Sequence, residues 1–569
     1  MSLELSEQEL VRRESLAKLK AEGIEPFPAA LFPVDTLSKE VKENYEEGKK
    51  VVVAGRLMSK NIMGKASFSS IQDSEGRVQV YFNRDVLCPG EDKSHYNLVY
   101  KKLLDIGDFI GVEGTLFTTQ VGEKSINVEK FTVLSKSLKP LPLPKTDSEG
   151  NVYDAFVNPE TRYRQRYVDL VVNPKVKEVF VKRTKMFNAM RNFFNDAGYF
   201  EVETPILQPI AGGAAARPFI THHNSLDIPL YMRIANELYL KRLIVGGFDG
   251  VYEFSKNFRN EGMDRTHNPE FTAMEIYVAY KDYNWMMEFT ERLLEHVAVE
   301  VNGTSEATFG EHKINFKAPY KRVTMTQSII DFTGFDISGK SEDELREAAR
   351  GMGIAVDDTM GKGKLIDEIF GEKCEGNYIQ PTYITDYPKE MSPLCKVHRD
   401  NPELTERFEL MVCGKEIANA YSELNDPIDQ RERFEEQLKL AERGDDEAGQ
   451  FIDNDFLRAL EYGMPPTSGL GIGMDRLIMF LTNNPSIQEV LFFPQMRPEV
   501  KQKKIELADN EKVIFDLIKA QKSMELSALK EASQLSGKQW DKGIKALGKL
   551  GLVKVTKADD TLTVDYTEN

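Results

Sequence analysis

The pattern of apolar and polar positions divides the chain into segments that differ in character. Residues 6–22 place apolar side chains such as Leu16 and Leu19 among charged ones, which predicts an amphipathic helix. Gly23 and the prolines after it indicate where that helix ends. The apolar face of this helix either packs on the rest of the protein or contacts a partner, and we favour packing.

Between residues 50 and 135 the pattern changes to short runs in which β-branched and aromatic residues alternate with polar ones. Turn signals at Gly64, 74–76, Gly107 and Gly122 separate the runs. This many short strands in so short a stretch predicts a small β-barrel of the OB type.

The rest of the chain mixes helices and strands. From residue 175 a helical spacing of three and four runs into an extended stretch stopped at Pro205. The block 227–497 shows few strand–helix–strand alternations, which favours an antiparallel sheet with flanking helices over a doubly wound sheet. Residues 500–569 predict three helices and then two strands around a turn at 559–560. This tail is either a winged helix or a small helical appendage.

These segments together predict an α+β protein in four parts. An N-terminal helix and lead-in covers residues 1–48, and the OB-fold barrel with its proline-rich linker covers 49–145. The large block with the antiparallel sheet covers 146–497, and the extension that resembles a winged helix covers 498–569.

Composition narrows the class of protein. The 569 residues carry 91 acidic and 74 basic side chains, a net charge of −17. A protein that coats nucleic acid without specificity needs a surplus of Lys and Arg, so this class is excluded, although a local basic face remains possible. The four cysteines are widely spaced, and we find no signal peptide or long apolar run. We therefore expect a cytoplasmic protein without a membrane partner.

Two arginines of the large block stand where a phosphate could bind. The segment 256–262 predicts a strand that presents Arg259, with Glu261 two residues later on the same face. In the segment 469–476, closely spaced glycines precede Arg476. Arg suits phosphate because its planar fork offers two charge-assisted hydrogen bonds, and glycines let the backbone approach a ligand.

The segment 266–280 predicts a strand with a polar face. Alternation places Phe271, Ala273, Glu275 and Tyr277 on one side of it. An aromatic ring, a carboxylate and a phenol in this arrangement could form the floor of a pocket for a base and a cation.

The segment 407–424 predicts a hairpin with two carboxylates, Glu409 and Glu416, on either side of its centre. Facing carboxylates attract hard cations such as Mg²⁺, especially beside phosphates. Strict alternation puts Glu416 on the opposite face of the strand from Asn419. A bulge near Ile417 is therefore needed if both residues serve one site. Apart from this bulge, alternation along the second strand of the hairpin places four side chains on one face: Ile417, Asn419, Tyr421 and Glu423.

Each of these segments has an ordinary explanation when it is taken alone. An Arg–Glu pair on a strand is usually a surface ion pair, and a glycine-rich stretch is usually a turn. Together they place many charges in one sheet, which is costly without ligands, so we favour a functional site. The phosphate-binding loop G-x-x-x-x-G-K-[ST] and the zinc motif H-E-x-x-H do not occur in the sequence.

At this point the residues resemble a known family, the class II aminoacyl-tRNA synthetases. GYFEVETPIL resembles motif 1 of that class, KNFRNEG with THNPEF resembles motif 2, and GLGIGMDR resembles motif 3. GGAAARPF (212–219), IANELYLKRL (234–243) and EIANAYSELNDP (416–427) narrow the resemblance to the lysyl-tRNA synthetases. The resemblance covers residues 50–497 and does not extend to the tail.

The resemblance implies that lysine is activated with ATP to lysyl-adenylate and pyrophosphate. The lysine is then transferred to the 3′-hydroxyl of the terminal adenosine of tRNA(Lys). It implies that Arg259 contacts the α-phosphate and the lysine carboxylate, that Arg476 holds the γ-phosphate, and that Phe271 stacks on adenine. Glu409 and Glu416 match the Mg²⁺ positions and also lie at the ATP. The other residues implied near the nucleotide are Glu261, His267 and Asn268.

The resemblance also implies an amino-acid pocket and an anticodon site. The pocket residues would be Gly213, Glu237 and Glu275 at the α-amino group, Tyr277 and Glu423 at the ε-ammonium, Asn419 and Tyr421 at the walls, and Arg259. In the barrel, Phe68 would stack on an anticodon base and Gln79 would bind a base edge, although Phe68 also suits a core position. Motif 1 implies a homodimer.

Two other functions stay open from the sequence. One is an inactive synthetase-like protein that serves only as an RNA-binding or regulatory module. The other is a paralogue that lysylates a protein instead of tRNA, although such relatives lack the barrel.

Overall fold

The computed structural model describes residues 5–146, 152–153, 155–214, 216–442, 452–499, 507–558 and 561–567. The chain forms two compact units, Met1–Gln495 and Met496–Asn569. Among the described residues, no helix is both long enough and apolar enough to cross a bilayer.

The first unit begins with helices α1 (Glu7–Ala21) and α2 (Ser38–Glu43). Arg12 of α1 donates from Nη1 to the carbonyl of Ser137 at 3.0 Å and from Nη2 to the carbonyl of Ile106 at 2.9 Å. The amphipathic helix predicted from the sequence therefore packs on its own protein.

The barrel follows, and its alternating pattern fills a closed interior. Its elements are β1 (Lys50–Met63), β2 (Ala66–Gln72), β3 (Arg77–Asn83), α3 (Arg84–Leu87), the π-helical segment His95–Leu103, β4 (Phe109–Thr118) and β5 (Lys124–Ser135). The strands close in the order β1-β2-β3-β5-β4. Every second residue, such as Val53, Ile71 and Val80, is buried inside. The predicted OB barrel is confirmed.

The larger part of the first unit mixes helices and strands. Its helices are α4 (Pro159–Arg164), α5 (Arg166–Val172), α6 (Pro174–Asp196), α7 (Glu237–Val245), α8 (Tyr283–Asn302), α9 (Met325–Thr333), α10 (Glu342–Gly351), α11 (Lys362–Lys373), α12 (Pro427–Glu442), α13 (Asn454–Glu461), α14 (Met474–Leu481) and α15 (Ile487–Val490). Its strands are β6 (Lys145–Thr146), β7 (Val152–Tyr153), β8 (Phe200–Glu201), β9 (Leu207–Gln208), β10 (Ile220–His223), β11 (Ile228–Met232), β12 (Gly250–Phe258), β13 (Glu270–Ala279), β14 (Glu306–Phe309), β15 (His312–Asn315), β16 (Lys321–Thr324), β17 (Thr382–Thr385), β18 (Arg407–Val412), β19 (Lys415–Ser422) and β20 (Thr467–Gly473).

One large sheet organises this part, in the order β16-β17-β18-β19-β20-β13-β12-β8. The central pairs are antiparallel, as predicted, and the edge pairs β16–β17 and β12–β8 are parallel. Met274 and Ile276 of β13 point into the main hydrophobic core with Phe194 of α6 and Leu293 of α8. The helices α6 and α8 therefore cover one face of the sheet, and the opposite face carries the polar residues of β13.

The β18–β19 hairpin contains the bulge that the sequence required. Leu410 pairs with Ala418 and Met411 pairs with Glu416, so Ile417 is the extra residue in β19. Beyond this bulge, Glu416 and Asn419 lie on one side of the sheet. The turn of the hairpin is formed by Cys413 and Gly414, both with positive φ, at 49° and 65°.

The second unit has the topology of a winged helix. Its elements are α16 (Asp509–Gln521), β21 (Ser523–Glu525), α17 (Leu526–Ser533), α18 (Gly537–Lys549), β22 (Val553–Ala558) and β23 (Thr561–Tyr566). The strands pair in the order β21-β23-β22, and Trp540 of α18 is buried in the core of the unit. The sequence did not predict the short strand β21, and the predicted turn at 559–560 lies outside the described residues.

Candidate active site

A cavity of about 1210 Å³ lies on the polar face of the large sheet. Strands β12, β13, β18, β19 and β20 and helices α7 and α14 supply much of its lining. Of the residues proposed from the sequence, those that line it are Gly213, Glu237, Arg259, Glu261, His267, Asn268, Phe271, Glu275, Tyr277, Glu409, Glu416, Asn419, Tyr421 and Arg476. The structure thus brings together residues that are up to about 260 positions apart in the chain.

Arg259 lies one residue beyond the end of β12, which stops at Phe258. The sequence analysis expected the strand itself to present this side chain. Its backbone N–H donates to the carbonyl of Pro269 at 2.8 Å, which closes the loop between β12 and β13. The guanidinium carbon lies 5.1 Å from the centre of the Phe271 ring. Its Nε is buried and has no hydrogen-bond partner among the described residues. This donor is available to a ligand in the cavity.

The loop between β12 and β13 carries three further candidates. Glu261 is exposed there. His267 Nδ1 lies 2.8 Å from Asp264 Oδ2 within the same loop. Asn268 donates from Nδ2 to the carbonyl of Glu270 at 2.6 Å. These side chains line the cavity from the loop that joins β12 and β13.

Arg476 occupies the first turn of α14, directly after the glycines of β20. It donates from Nη1 to the carbonyl of Glu416, so the two segments meet at one point of the cavity. The preceding residue, Asp475, accepts from the backbone N–H of Thr272 at 2.7 Å and pairs with Arg183 of α6 at 2.7 Å. Motif 3 is therefore fixed to helix α6 and to strand β13.

Glu409 and Glu416 line the same part of the cavity from the two strands of the hairpin. Burial, together with the neighbouring carboxylate of Glu416, raises the pKa of Glu409 above its ordinary value. Arg407 partly offsets this repulsion by donating from Nη2 to Glu409 Oε1 at 2.6 Å. Arg407 also donates from Nε to Asn419 Oδ1 at 3.2 Å, so one side chain contacts both Glu409 and Asn419.

The two carboxylates fit the way in which Mg²⁺ binds in nucleotide sites. Among the described residues, no group of three or more His, Cys, Asp or Glu side chains is arranged to hold a metal alone. Mg²⁺ commonly uses one or two carboxylates, with waters and substrate phosphates as its other ligands. A pair of half-buried carboxylates that repel each other is also a site that a cation would stabilise.

The other end of the cavity is acidic. Glu237 is the first residue of α7, and Gly213 lies beside it with a φ of 89°. A Cβ at Gly213 would lie 3.5 Å from that of Glu237. Glu275 accepts at Oε2 from the hydroxyl of Tyr277 at 3.1 Å. Burial, together with the charge of Glu237, raises the pKa of Glu275 to about 8.

Glu423 is the exception among the predicted pocket residues, because it does not line the cavity. It follows the end of β19 and is 2% exposed, beneath Gly469 and Tyr277. A Cβ at Gly469 would lie 2.2 Å from Glu423 Oε1 and 2.4 Å from Cε1 of Tyr277. The Glu423 carboxylate pairs instead with Lys241 of α7. Burial raises its pKa well above the ordinary value, and Lys241 opposes that shift.

Two side chains of the site were missed by the sequence analysis. Lys241 follows Glu237 by four residues, so the spacing of an ion pair along one helix face could have found it. The ion pair joins Lys241 Nζ to Glu237 Oε1 at 2.5 Å. Arg407 stands two residues before Glu409 in β18, and alternation along that strand places both on one face.

In the barrel, the two anticodon candidates share the outer face of β2 and β3. Phe68 pairs with Tyr81, and Ser70 pairs with Gln79. Phe68 is half-buried and lies outside the barrel core, with its ring 4.9 Å from that of Tyr81. Gln79 accepts at Oε1 from the hydroxyl of Ser125 at 2.8 Å. Phe117, whose ring lies 5.8 Å from that of Tyr81, extends this aromatic surface and was not predicted.

Comparison with known proteins assigns both parts of the first unit. Residues 158–497 match the family described as tRNA synthetases class II (D, K and N). Residues 51–134 match the OB-fold nucleic acid binding domain. The largely antiparallel sheet, the residues of motifs 2 and 3 around one cavity and the OB barrel thus define a class II aminoacyl-tRNA synthetase.

Curated relatives narrow this class. The lysine–tRNA ligase of Christiangramia forsetii is 75% identical over 561 residues, which cover 99% of this chain and 98% of that protein. The lysine–tRNA ligase of Porphyromonas gingivalis is 69% identical over 502 residues, 87% of this chain and 86% of that protein. The lysine–tRNA ligase of Azobacteroides pseudotrichonymphae is 64% identical over 87% of this chain and 99% of that protein. The chain belongs to the lysine–tRNA ligase family.

Proposed function

We propose that this chain activates L-lysine with ATP and transfers it to the 3′-hydroxyl of the terminal adenosine of tRNA(Lys). The observation that carries the proposal is the polarity of one cavity. Arg259 and Arg476 line one part of it, and the carboxylates of Glu237 and Glu275 line another. An amino acid with a cationic side chain and a polyphosphate are complementary to these two ends.

The chemistry follows from this arrangement. The carboxylate of lysine attacks the α-phosphorus of ATP, the bond to pyrophosphate breaks, and lysyl-adenylate forms. Because the attacking carboxylate is already ionised, the step needs alignment and charge neutralisation and no enzyme base. The guanidinium of Arg259, which lines the cavity, would hold both reactants, and the ring of Phe271 beside it would offer adenine a stacking surface. The tRNA hydroxyl then attacks the lysyl carbonyl and releases AMP.

Glu409 and Glu416 would hold Mg²⁺ against the phosphates of ATP. When bound, the ion supplies positive charge that neutralises the polyphosphate. Arg476 contacts the backbone of Glu416, so the γ-phosphate position assigned to this arginine would lie next to the metal. Glu261, His267 and Asn268 would approach the nucleotide from the loop between β12 and β13.

The barrel would read the anticodon of the tRNA. Phe68 and Tyr81 offer adjacent aromatic faces on the outer side of β2 and β3, and single-stranded bases stack on such faces. Gln79 has an amide that can bind the edge of a base next to them. Since the barrel and the catalytic part belong to one compact unit, one tRNA can contact both.

We expect the protein to act in the cytoplasm. We also expect it to form a homodimer through motif 1. Phe200, on the edge strand β8, is 58% exposed, and its ring lies 5.6 Å from that of Phe248. An exposed apolar cluster at a sheet edge is typical of a surface that a second protein covers. A second copy of the chain is the partner that the family resemblance implies.

The two alternative functions are less well supported. An inactive RNA-binding relative would be expected to lose part of the catalytic set, yet Arg259, Glu409, Glu416 and Arg476 all line the cavity. A protein-lysylating paralogue would lack the barrel, which is present here.

Two assays test the proposal. The first measures ATP–pyrophosphate exchange with each of the standard amino acids, and we expect exchange with lysine. The second measures charging of total tRNA with each labelled amino acid. Charging with an amino acid other than lysine, or no charging at all, would contradict the proposed function.

A further inference from the structure

Lys241 is a buried cation shared by two of the proposed pocket carboxylates. Its side chain has no exposed surface. Nζ lies 2.5 Å from Glu237 Oε1 and also pairs with Glu423 Oε2. The rings of Tyr421 and Phe456 lie 5.5 and 5.9 Å from the same atom. One ammonium group is thus held by the carboxylate proposed for the α-amino group of lysine and by the carboxylate proposed for its ε-ammonium.

The charges of the pocket show why this contact matters. Glu237, Glu275 and Glu423 are all buried in it, at 5%, 8% and 2% exposure. A bound lysine brings two ammonium groups, and Lys241 supplies a third positive charge. The three carboxylates are then balanced by three cations. Without Lys241, one buried carboxylate would remain without a counter-ion, which is costly.

We propose that Lys241 is a positioning residue that holds the carboxylates of Glu237 and Glu423 in place for the two ammonium groups of the substrate. This inference rests on the proposed function, because it assumes that lysine occupies the cavity. Lys241 itself lies beneath the pocket and does not line the cavity. It therefore acts through the two carboxylates and not by touching the substrate.

The other titratable groups around this cluster determine how it responds to pH. Glu275 and Tyr277 face it from β13, Tyr421 faces it from β19, and Cys395 faces it from the segment that pairs with Glu423. Burial raises the pKa of both phenols and of the thiol, so these three groups stay neutral at pH 7. Glu253 also acts on Glu275, but it is paired with Arg233 at 2.7 Å. Glu423 is therefore the group that would take up a proton if Lys241 were removed, because Lys241 opposes the rise of its pKa.

The variant Lys241→Met removes the charge and keeps an unbranched side chain that is one atom shorter. Lysine-dependent ATP–pyrophosphate exchange is measured for wild type and variant between pH 6 and 9. We expect the KM for lysine at pH 7 to rise roughly tenfold or more, because an uncompensated buried charge is costly. The KM for ATP should stay within about twofold, since the cluster does not reach the arginine end. The acid limb of kcat/KM for lysine should move to higher pH.

A merely structural role would change neither the pH profile nor the ratio of the two KM values. An unchanged or lower KM for lysine would overturn the inference, and a lower value would show that Lys241 competes with the substrate. Lys313→Met, on the exposed strand β15, is the matched control and should behave as wild type.

A second variant keeps the inference testable if Lys241→Met does not fold. Lys241→Met with Glu423→Gln removes one cation and one carboxylate together. We expect this double variant to fold, to retain a high KM for lysine, and to show an acid limb near that of wild type. An acid limb that stays displaced would overturn the charge-balance argument. If the wild type itself shows no lysine-dependent exchange, the proposed function fails as well. If the wild type is active and Lys241→Met matches it, only the role of Lys241 fails.

Discussion

The guanidinium of Arg259 lies over the ring of Phe271, with 5.1 Å between the guanidinium carbon and the ring centre. This contact sets the orientation of the arginine fork before any substrate binds. The buried Nε of Arg259 has no partner among the described residues, so the fork retains donors for a phosphate and a carboxylate.

Replacing Arg259 with Lys should keep the charge and lose the fork. We expect kcat/KM for lysine activation to fall by about 10²–10³, the range seen when one preorganised donor is removed from a reaction centre. Pyrophosphate exchange measures the effect, and circular dichroism checks folding. Arg458→Lys, an exposed change on α13, is the control and should retain full activity. A drop of less than tenfold in Arg259→Lys would remove this residue from the proposed mechanism.

Glu423→Gln should abolish most lysine activation while the protein stays folded. In the proposed function this buried carboxylate carries the charge that selects a cationic side chain, and an amide of the same shape would not replace it. Lys241 keeps Glu237 as a partner, which limits the loss of stability. We expect a decrease of roughly 10²-fold in kcat/KM for lysine. Near-normal exchange would refute the assignment, and Glu461→Gln, at the exposed end of α13, serves as the comparison.

Gly469→Ala tests the close approach of β20 to the pocket. The added Cβ would meet Glu423 Oε1 at 2.2 Å and Tyr277 Cε1 at 2.4 Å, so one of these side chains must move. We expect a strong rise in the KM for lysine and a smaller change in the KM for ATP. Gly351→Ala, where a Cβ meets nothing within 4 Å, should leave both values unchanged. Equal effects on the two substrates would indicate a general loss of structure instead.

The raised pKa of Glu275 predicts a pH dependence of stability. In the folded protein this pKa is about 8, against 4.5 for the free side chain, so the folded state holds the proton more tightly. The ligand-free protein therefore loses stability as pH rises from 4.5 through 8, and loses no more above that range.

Glu275→Gln removes this titration. We expect the melting temperature of the variant to exceed that of wild type by an amount that grows between pH 5 and 8 and then levels. The gain should be roughly 2–4 °C for each kcal/mol in a chain of this size. The variant should also bind lysine more weakly. Scanning fluorimetry at several pH values measures the difference, and a constant difference across pH would contradict the assignment.

Phe68→Ala should affect tRNA and spare lysine activation. Loss of one stacking surface is worth about 1–3 kcal/mol, so we expect the KM for tRNA to rise roughly tenfold. Lysine-dependent pyrophosphate exchange without tRNA should not change. Val121→Ala, on the exposed turn between β4 and β5, is the control. An unchanged KM for tRNA would place Phe68 outside the anticodon site.

The sequence was informative where the pattern is local. Alternation predicted the barrel strands, and it also predicted that Phe271, Ala273, Glu275 and Tyr277 share a face, as all four line the cavity. The bulge at Ile417 followed from a chemical requirement, since Glu416 and Asn419 could not otherwise serve one site. In both cases the period of two along a strand carries the information.

The sequence was less informative where a contact joins distant segments. Glu423 lies beneath the pocket floor because Gly469 has no side chain and Lys241 of α7 reaches it from another element. Neither relation is visible in the spacing of residues 416–427. The position of Arg259 beyond β12 likewise depends on its hydrogen bond to Pro269, across a loop that no periodicity describes.

The extra residue in β19 has a consequence for how this site can change. Glu416 and Tyr421 both line the cavity, and the bulge at Ile417 sets the phase between them. Deleting Ile417 would place Glu416 two positions before Asn419, so a regular strand without a bulge would keep both side chains on one face. With the natural spacing of three, loss of the bulge would instead turn Glu416 away from the face that carries Asn419, so this one local irregularity keeps the two parts of the cavity in phase.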